Sequence, residues 1–262
     1  MSSINRITGV LKQELFITKA SLEVIFDLVF FPLINIVVFG FVSLWLAGSS
    51  TKEAYYLLSG MILWQMVYIG QYSITIGALW NIWSRNMSNM FVSPLSIKEY
   101  IVALMISGLL KTLIIFILTG VLSIFVFKFN IFDYGLLNLS LYFVNLTLFA
   151  WALGIVLLGV VFRFGTRIQA LAWGVAYLLQ PLTAAFYPVK ILPGFLQTIA
   201  YLLPPTYIFE AARINLVDPS VQWNLMSVSF IQNVVYFILS VWIFTILFKQ
   251  SRETGQFAKN DT

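Results

Sequence analysis

Long apolar runs constrain the fold of this chain more than any other feature of its sequence. Six of them have the length of a membrane span, and they cover residues 25–47, 57–83, 100–127, 136–161, 168–187 and 226–248. A helix needs about 20 apolar residues to cross a hydrocarbon core of about 30 Å. The sequence of 262 residues, 60% hydrophobic and 10% charged, therefore predicts a single all-α integral membrane domain, residues 1–262, with six transmembrane helices.

The lysine and arginine residues predict how this domain is oriented. If the N-terminus is cytoplasmic, ten of these residues lie on the cytoplasmic side and four lie outside: Lys52, Lys128, Lys190 and Arg213. This distribution follows the positive-inside rule. Because six is an even number of spans, the tail at residues 249–262 returns to the cytoplasm. We expect a multi-pass protein of the cell (inner) membrane with both termini cytoplasmic.

Missing residue types exclude most enzyme chemistry. The chain has no histidine and no cysteine, which removes imidazole bases, thiolate nucleophiles and the usual zinc ligands. Its acidic residues are scattered, so no paired carboxylates suggest an intramembrane enzyme, which we keep as the weaker alternative. No G-x-x-x-x-G-K-[ST] phosphate loop is present. We expect no enzyme, no metal site, no cofactor bound by this chain and no nucleic-acid partner.

The N-terminal segment, residues 1–24, has helical periodicity before the first apolar run. Ile4, Ile7, Leu11 and Leu15 recur at offsets of three and four. This spacing predicts an amphipathic interfacial helix on the membrane surface. An ordinary cytosolic tail that begins the first span early is the alternative.

The linker after the second run, residues 84–99, carries few charges for a cytosolic loop. Met87, Met90, Phe91 and Val92 give it an apolar patch. Methionine adapts its shape to partner surfaces, which favours a docking site, although a plain helical turn is equally compatible. The third span is expected to begin either at Ser93-Pro94 or at a capping box formed by Ser96 and Glu99.

Prolines interrupt the segment between the fifth and sixth runs. Residues 180–213 hold five of the eight prolines of the chain. About ten residues fit between Pro193 and Pro204, and a helix of that length, about 15 Å, enters a membrane without crossing it. Pro204 and Pro205 force a turn, so residues 188–217 are predicted to form a re-entrant helical hairpin on the outer side. Glu210 and Arg213, one helical turn apart, form either a partly buried pair or a solvated one.

Polar and aromatic residues share one face of the second span. Trp64, Tyr68, Gln71 and Thr75 recur at helical spacing, with Gln65 and Tyr72 beside them. Such a face predicts either a pathway for an amphipathic substrate or polar packing between helices, including a dimer seam. The lesser candidates for the pathway are Asn35, Gln180 and Thr183.

Charged residues near or inside the spans are the remaining candidates. Lys111 lies well inside the third span, where its ammonium either extends toward the lipid phosphates or contacts substrate. Glu23 and Asp27 lie near the start of the first span, where carboxylates suit a helix N-terminus.

Two motifs, in this order along the chain, resemble those of a known family. MFVSPLSIKEYI follows the second span, and FYPVKILPGFLQTIAYLLPPTYIFEAAR follows the fifth. Together with the N-terminal helix and six spans, they make the chain similar to membrane subunits of ABC-2 type exporters.

This resemblance implies a permease subunit that works as a homodimer or heterodimer. Two separate cytoplasmic ABC ATPase subunits would bind ATP and Mg and drive export of an amphipathic solute or lipid-linked molecule. The linker would couple the ATPase to the permease through Arg85, Met87, Met90, Phe91, Val92, Ser93 and Pro94. The outer gate would comprise Pro193, Pro204, Pro205, Glu210 and Arg213. Members that export polysaccharide or glycolipid carry an RDLK..RY-like run where this chain has LKQELFITKASLEVIF, so such cargo is the alternative.

Overall fold

The computed structural model describes residues 2–48 and 51–254, and every regular element in that part of the chain is a helix. The α-helices are α1 (Ser3–Ala20), α2 (Leu22–Ile25), α3 (Phe31–Ala47), α4 (Thr51–Trp83), α5 (Met87–Val92), α6 (Ile97–Phe127), α7 (Leu136–Phe164), α8 (Leu171–Leu182), α9 (Gly194–Leu202), α10 (Pro204–Asn215) and α11 (Trp223–Glu253). A π-helical turn, Phe26–Phe30, joins α2 to α3 as one continuous rod.

Four helical segments in the described part of the chain are long and apolar enough to cross a membrane. They are Leu22–Leu46, Ile97–Phe127, Leu136–Ile168 and Trp223–Glu253. At 1.5 Å per residue, the shortest is about 37 Å long, more than the hydrocarbon core requires. The class predicted from the sequence, an all-helical membrane protein, is therefore confirmed.

Helix α4 is long enough to cross but less apolar than these four. Its 33 residues extend about 50 Å. It packs against α3, α6, α7 and α8, and its residues from Leu58 to Leu79 are almost all buried. Because protein surrounds this helix, its surface can carry glutamine and tyrosine side chains that a lipid-facing helix would not tolerate.

The fifth predicted span forms a much shorter helix than its apolar run. Residues 168–187 contain α8, whose 12 residues extend about 18 Å, too short to cross on its own. Pro181 lies in its last turn and has no amide hydrogen for the carbonyl four residues earlier. Ala184 then adopts a left-handed backbone with φ of 53°, which ends the helix. The six crossings remain a prediction.

Helix α1 lies against α6, but its buried face differs from the predicted apolar face. Val10 and Glu14 are buried, whereas Ile4 and Leu15 are 74% and 66% exposed. Ser21 is extended and caps α2, so the helix ends at Ala20 instead of running to residue 24. An interfacial position for α1 remains a prediction.

The proline-rich segment forms the two short helices that the sequence predicts. Helix α9 ends at Leu202, Leu203 is extended, and Pro204 and Pro205 occupy the first turn of α10. Side chains of α11 cover the break, since Gln232, Tyr236 and Ser229 donate to the carbonyls of residues 201, 202 and 204. The bonds to residues 201 and 202 satisfy carbonyls that the end of α9 leaves free. Re-entry into a membrane remains a prediction.

The last predicted boundary falls within a helix. Helix α11 continues to Glu253, so the first part of the predicted tail, residues 249–262, is helical. Residues 255–262 lie outside the described part of the chain.

Candidate functional sites

The polar face of α4 is buried inside the helix bundle. Gln71 is fully buried, and its Nε2 donates to Thr75 Oγ1 and to the carbonyl of Ala172 in α8, both at 3.0 Å. Thr75 donates in turn to the carbonyl of Gln71. These bonds hold α4 and α8 together, which is the packing role that the sequence left open beside a substrate pathway.

The aromatic members of this face contact other helices. Trp64 is buried with its ring 6.1 Å from that of Phe209 in α10. Tyr68 is buried and lies 5.4 Å, ring to ring, from Tyr177 of α8, which is nearly half exposed. Gln65 is buried as well. The Tyr68–Tyr177 contact is therefore the point where this face comes nearest to the surface.

The lesser pathway candidates belong to α3 and to the end of α8. Asn35 in α3 and Gln180 in α8 are half-buried. Thr183 is buried and donates to the carbonyl of Gln180 at 2.9 Å, which closes the end of α8.

A buried carboxylate in the first span was missed by the sequence reasoning. Asp27 lies in the π-helical turn, is 8% exposed, and does not serve as an exposed helix-start residue. Its Oδ2 accepts from the Tyr72 hydroxyl at 2.6 Å and from Trp173 Nε1 at 3.1 Å. One carboxylate thus joins the first span to α4 and α8. The signal was present, because an acid inside an apolar run requires partners.

Glu23 behaves as the sequence predicted. It lies in the first turn of α2 and is exposed, so its carboxylate is placed to interact with the helix N-terminus.

Lys111 forms an ion pair with a residue of α1. Its Nζ lies 3.2 Å from Oε2 of Glu14, and both side chains are largely buried. Burial raises the pKa of the Glu14 carboxyl, and the Lys111 ammonium opposes that shift. The need of a buried Lys111 for a counterion was the signal that could have identified the pair.

The linker after α4 forms an elbow, which we define as residues 84–99 and which is built around α5. Met87 and Met90 are buried, and Met90 Sδ lies 3.9 Å from Gln13 Nε2 of α1. Val92 points the other way and is 88% exposed. The elbow therefore has an inner side that packs on the bundle and an outer side open to a partner. The side chain of Phe91 lies outside the described part of the structure.

The ends of the elbow are fixed locally. Arg85 follows α4 with a positive φ of 53°, a backbone that reverses the chain before α5. Ser93 donates to the carbonyl of Met90, and Pro94 follows as an exposed residue. Helix α6 begins with the capping box, because Ser96 Oγ accepts from Glu99 N and Glu99 Oε2 accepts from Ser96 N. The capping box, and not Ser93-Pro94, starts the third span.

A second ion pair joins α1 to the start of α6. The Arg6 guanidinium contacts both oxygens of Glu99, at distances of 2.6 to 3.1 Å. Gln13 Nε2 also donates to Asn81 Oδ1 near the end of α4. Helix α1 is therefore tied to α4, the elbow and α6 by polar contacts that sequence spacing does not show.

Two of the predicted outer gate residues, Glu210 and Arg213, contact each other. The Arg213 side chain is 5% exposed; its two terminal nitrogens donate to Glu210 Oε1 at 2.9 Å and to the Ala184 carbonyl at 3.0 Å. Glu210 Oε1 also accepts from the Val189 amide at 2.8 Å. The pair is thus partly buried, and it fixes the loop after α8 to α10.

The prolines of the outer segment set where its helices start. Pro193 precedes α9, and Pro204 and Pro205 are buried at the start of α10, where a missing amide hydrogen costs nothing. Of the predicted gate residues, Glu210 and Arg213 make the contacts and the prolines define the helices that carry them.

A comparison with protein-family models matches residues 7–217 to the family described as ABC-2 type transporter. No curated protein gave a significant match. The matched range covers most of the chain and includes the elbow, the α4 face, α9 and α10. Together with the long apolar helices, this match shows that the chain is a membrane permease domain that belongs to the ABC-2 type transporter family.

Proposed function

We propose that this chain is the permease subunit of an ATP-driven exporter in the cell membrane. Its cargo is an amphipathic solute or a lipid-linked molecule, and separate ATPase subunits supply the energy. Membership of the ABC-2 type transporter family and the four long apolar helices support this proposal.

The proposed topology has six crossings with both termini in the cytoplasm. Helix α4 crosses as the central helix, and α8 crosses with the help of the turns that flank it. Helices α9 and α10 re-enter the outer leaflet as a hairpin, and α11 covers their break. The positive-inside distribution of basic residues supports this orientation.

The observation that carries the proposed coupling is the two-sided elbow. Met87 and Met90 anchor α5 to the bundle, while Val92 is exposed on the cytoplasmic side of the proposed topology. A rigid helix that presents an apolar residue suits a groove on an ABC ATPase that carries ATP and Mg. Helix α1 provides the second contact, and Gln13 links it to the elbow.

The α4 face forms the proposed substrate pathway, which is closed in this arrangement of a single chain. Gln71 bonds to α8, and Tyr68 contacts Tyr177 at the edge of the same helix. Separation of α4 from α8 in a dimer would expose hydrogen-bonding and aromatic groups that suit an amphipathic cargo. The second permease copy makes a homodimer; a heterodimer is the alternative.

The outer hairpin forms the proposed gate. Movement of α10 breaks the contacts that Arg213 and Glu210 make with the loop after α8, and that loop then leaves the outer end of the pathway. The contacts are few and local, so they are of a size that ATP-driven motion can overcome.

Co-purification with a cytoplasmic ABC ATPase, followed by ATP turnover in vesicles, tests the proposed function. The complex should hydrolyse ATP and move cargo outward, with amphipathic dyes and lipid-linked sugars compared as cargo. Loss of ATP turnover on omission of the permease would support coupling. A permease that neither binds the ATPase nor changes its turnover would contradict the proposal.

A further inference from the structure

An open cavity lies where four separate segments of the chain meet beside the outer hairpin. Its volume is about 560 Å³, within the range of ligand pockets. Lys52 and Tyr56 come from the first turns of α4, Lys190 from the short 3-10 turn, Tyr201 from α9 and Arg213 from α10. This cavity is distinct from the α4 face and was not singled out in the sequence.

The charges around the cavity leave an excess of positive groups. Two carboxylates line it, but Glu210 already binds Arg213 and the Val189 amide. The other, Asp218, accepts from the amide and the hydroxyl of Ser220, and these hydrogen bonds hold the pKa of Asp218 below its usual range.

The two lysines of the cavity have no carboxylate within ion-pair distance among the described residues. Lys52 Nζ instead lies 5.8 Å from the centroid of the Tyr56 ring. The guanidinium-bearing side chain of Arg213, which is largely buried, lines the same cavity. Two ammonium groups without a carboxylate partner among the described residues, one guanidinium and two tyrosine side chains line one space, which suits an anion with several oxygens.

The neighbouring surface of α9 indicates what kind of group is attached to the anionic part of the ligand. Phe195, Ile199 and Leu202 recur at offsets of four and three, and all three are exposed. Tyr201 of the same helix lines the cavity. A ligand with its charged group in the cavity can therefore lay an apolar chain along α9.

We propose that this cavity binds the phosphate group of a phosphate-bearing amphiphile, with Lys52, Lys190 and Arg213 as the cationic contacts. The source is a lipid head group of the outer leaflet or a phosphate-linked cargo; free phosphate shares the chemistry. Only the outer location rests on the proposed function, because binding itself requires neither ATP nor a partner.

Equilibrium binding to the full chain in detergent tests this site. The probes are dioctanoyl phosphatidylglycerol, dioctanoylglycerol, which lacks the phosphate, and inorganic phosphate. Phosphatidylglycerol should bind and dioctanoylglycerol should bind at least tenfold more weakly, roughly the effect expected of two or three charge contacts. Binding of inorganic phosphate alone would support the anion site and assign free phosphate as its ligand. Equal binding of the two lipids would overturn the proposal.

Variants separate the site from general attraction to a basic protein. The double variant Lys52→Gln/Lys190→Gln should weaken phosphatidylglycerol binding about tenfold. The matched control Lys12→Gln/Lys19→Gln removes the same charge from exposed positions on α1 and should bind as the unmodified chain does. An equal loss of phosphatidylglycerol binding in both variants would mean that the lipid is attracted to basic residues anywhere on the surface, and this result would overturn the proposed site. Since all four lysines are exposed, neither variant should disturb folding. The binding result does not depend on transport, so it would stand even if the chain failed to transport cargo.

Discussion

At the scale of single residues, buried polar groups distinguish this chain from a simple apolar bundle. Asp27 connects three helices through one oxygen atom, and Glu14 and Lys111 neutralise each other between α1 and α6. Each is costly to bury alone and stabilising only with its partners. Single substitutions at these positions should therefore have large effects.

Replacing Asp27 tests the first of these groups. Asp27→Ala leaves the Tyr72 hydroxyl and the Trp173 indole N–H without an acceptor, and the free energy of unfolding should fall by about 2–4 kcal/mol. Glu23→Ala, one turn earlier and exposed, should change it by less than about 0.5 kcal/mol. Equilibrium unfolding in detergent measures both. Equal stability of the two variants would contradict the structural role of Asp27.

Breaking the buried ion pair between Glu14 and Lys111 tests the second of these polar groups. Lys111→Met leaves the Glu14 carboxylate buried without a cation and should cost about 3–5 kcal/mol, whereas Glu14→Gln/Lys111→Met should recover most of that loss. The exposed pair Lys249–Glu253, 3.7 Å apart, is the control, and Lys249→Met should cost less than about 1 kcal/mol. The same unfolding measurement applies, and a double variant as unstable as Lys111→Met would count against the pairing.

At the scale of elements, the elbow contains two short motifs with separate structural roles. The capping box fixes where α6 begins, and the buried methionines fix the inner side of α5. The outer side is then free to bind a partner without disturbing the bundle. Substitution on the two sides should accordingly separate coupling from folding.

Val92 is the position at which this separation can be measured. Val92→Glu should reduce the stimulation of a bound ATPase by at least about tenfold, because a charge replaces an apolar contact at the centre of the proposed interface. Its unfolding midpoint should not change, since the side chain is 88% exposed. Val92→Thr, similar in shape and uncharged, is the matched control and should retain stimulation. Unaltered ATP turnover in Val92→Glu would remove Val92 from the docking surface.

At the scale of the whole molecule, the proposed six crossings place the elbow and the outer hairpin on opposite sides of the membrane. The absence of cysteine makes the chain a ready background for accessibility labelling. Exposed positions for labelling are Ser2 and Thr254 near the two ends, Ser93 in the elbow and Ser220 in the loop after α10.

Single cysteine variants should report this topology directly. Ser2→Cys, Ser93→Cys and Thr254→Cys should react with an impermeant maleimide from the cytoplasmic side, and Ser220→Cys should react from outside. Intact cells and inverted vesicles compare the two sides. Labelling of residues 2 and 254 from opposite sides would require an odd number of crossings and would contradict the proposed topology.

Local signals in the sequence determined the membrane class, the helix boundary at Pro204 and the family resemblance, and they limited the start of α6 to Ser93-Pro94 or the capping box at Ser96. Each depends on neighbouring residues: apolar length, a capping box, or an amide hydrogen that proline lacks. The partial burial of the Glu210–Arg213 pair was left open, because helical spacing fixes the distance between two residues and not what surrounds them.

Only the tertiary structure decided which polar groups meet. Asp27 is 146 residues from Trp173, Glu14 is 97 from Lys111, and the cavity beside the outer hairpin combines four separate segments. Periodicity shows which face of a helix a residue occupies, but the identity of the neighbouring helix depends on packing of the whole bundle. For the same reason the α4 face, read from spacing as a pathway or as packing, proved to be bonded to α8 in this arrangement of the chain.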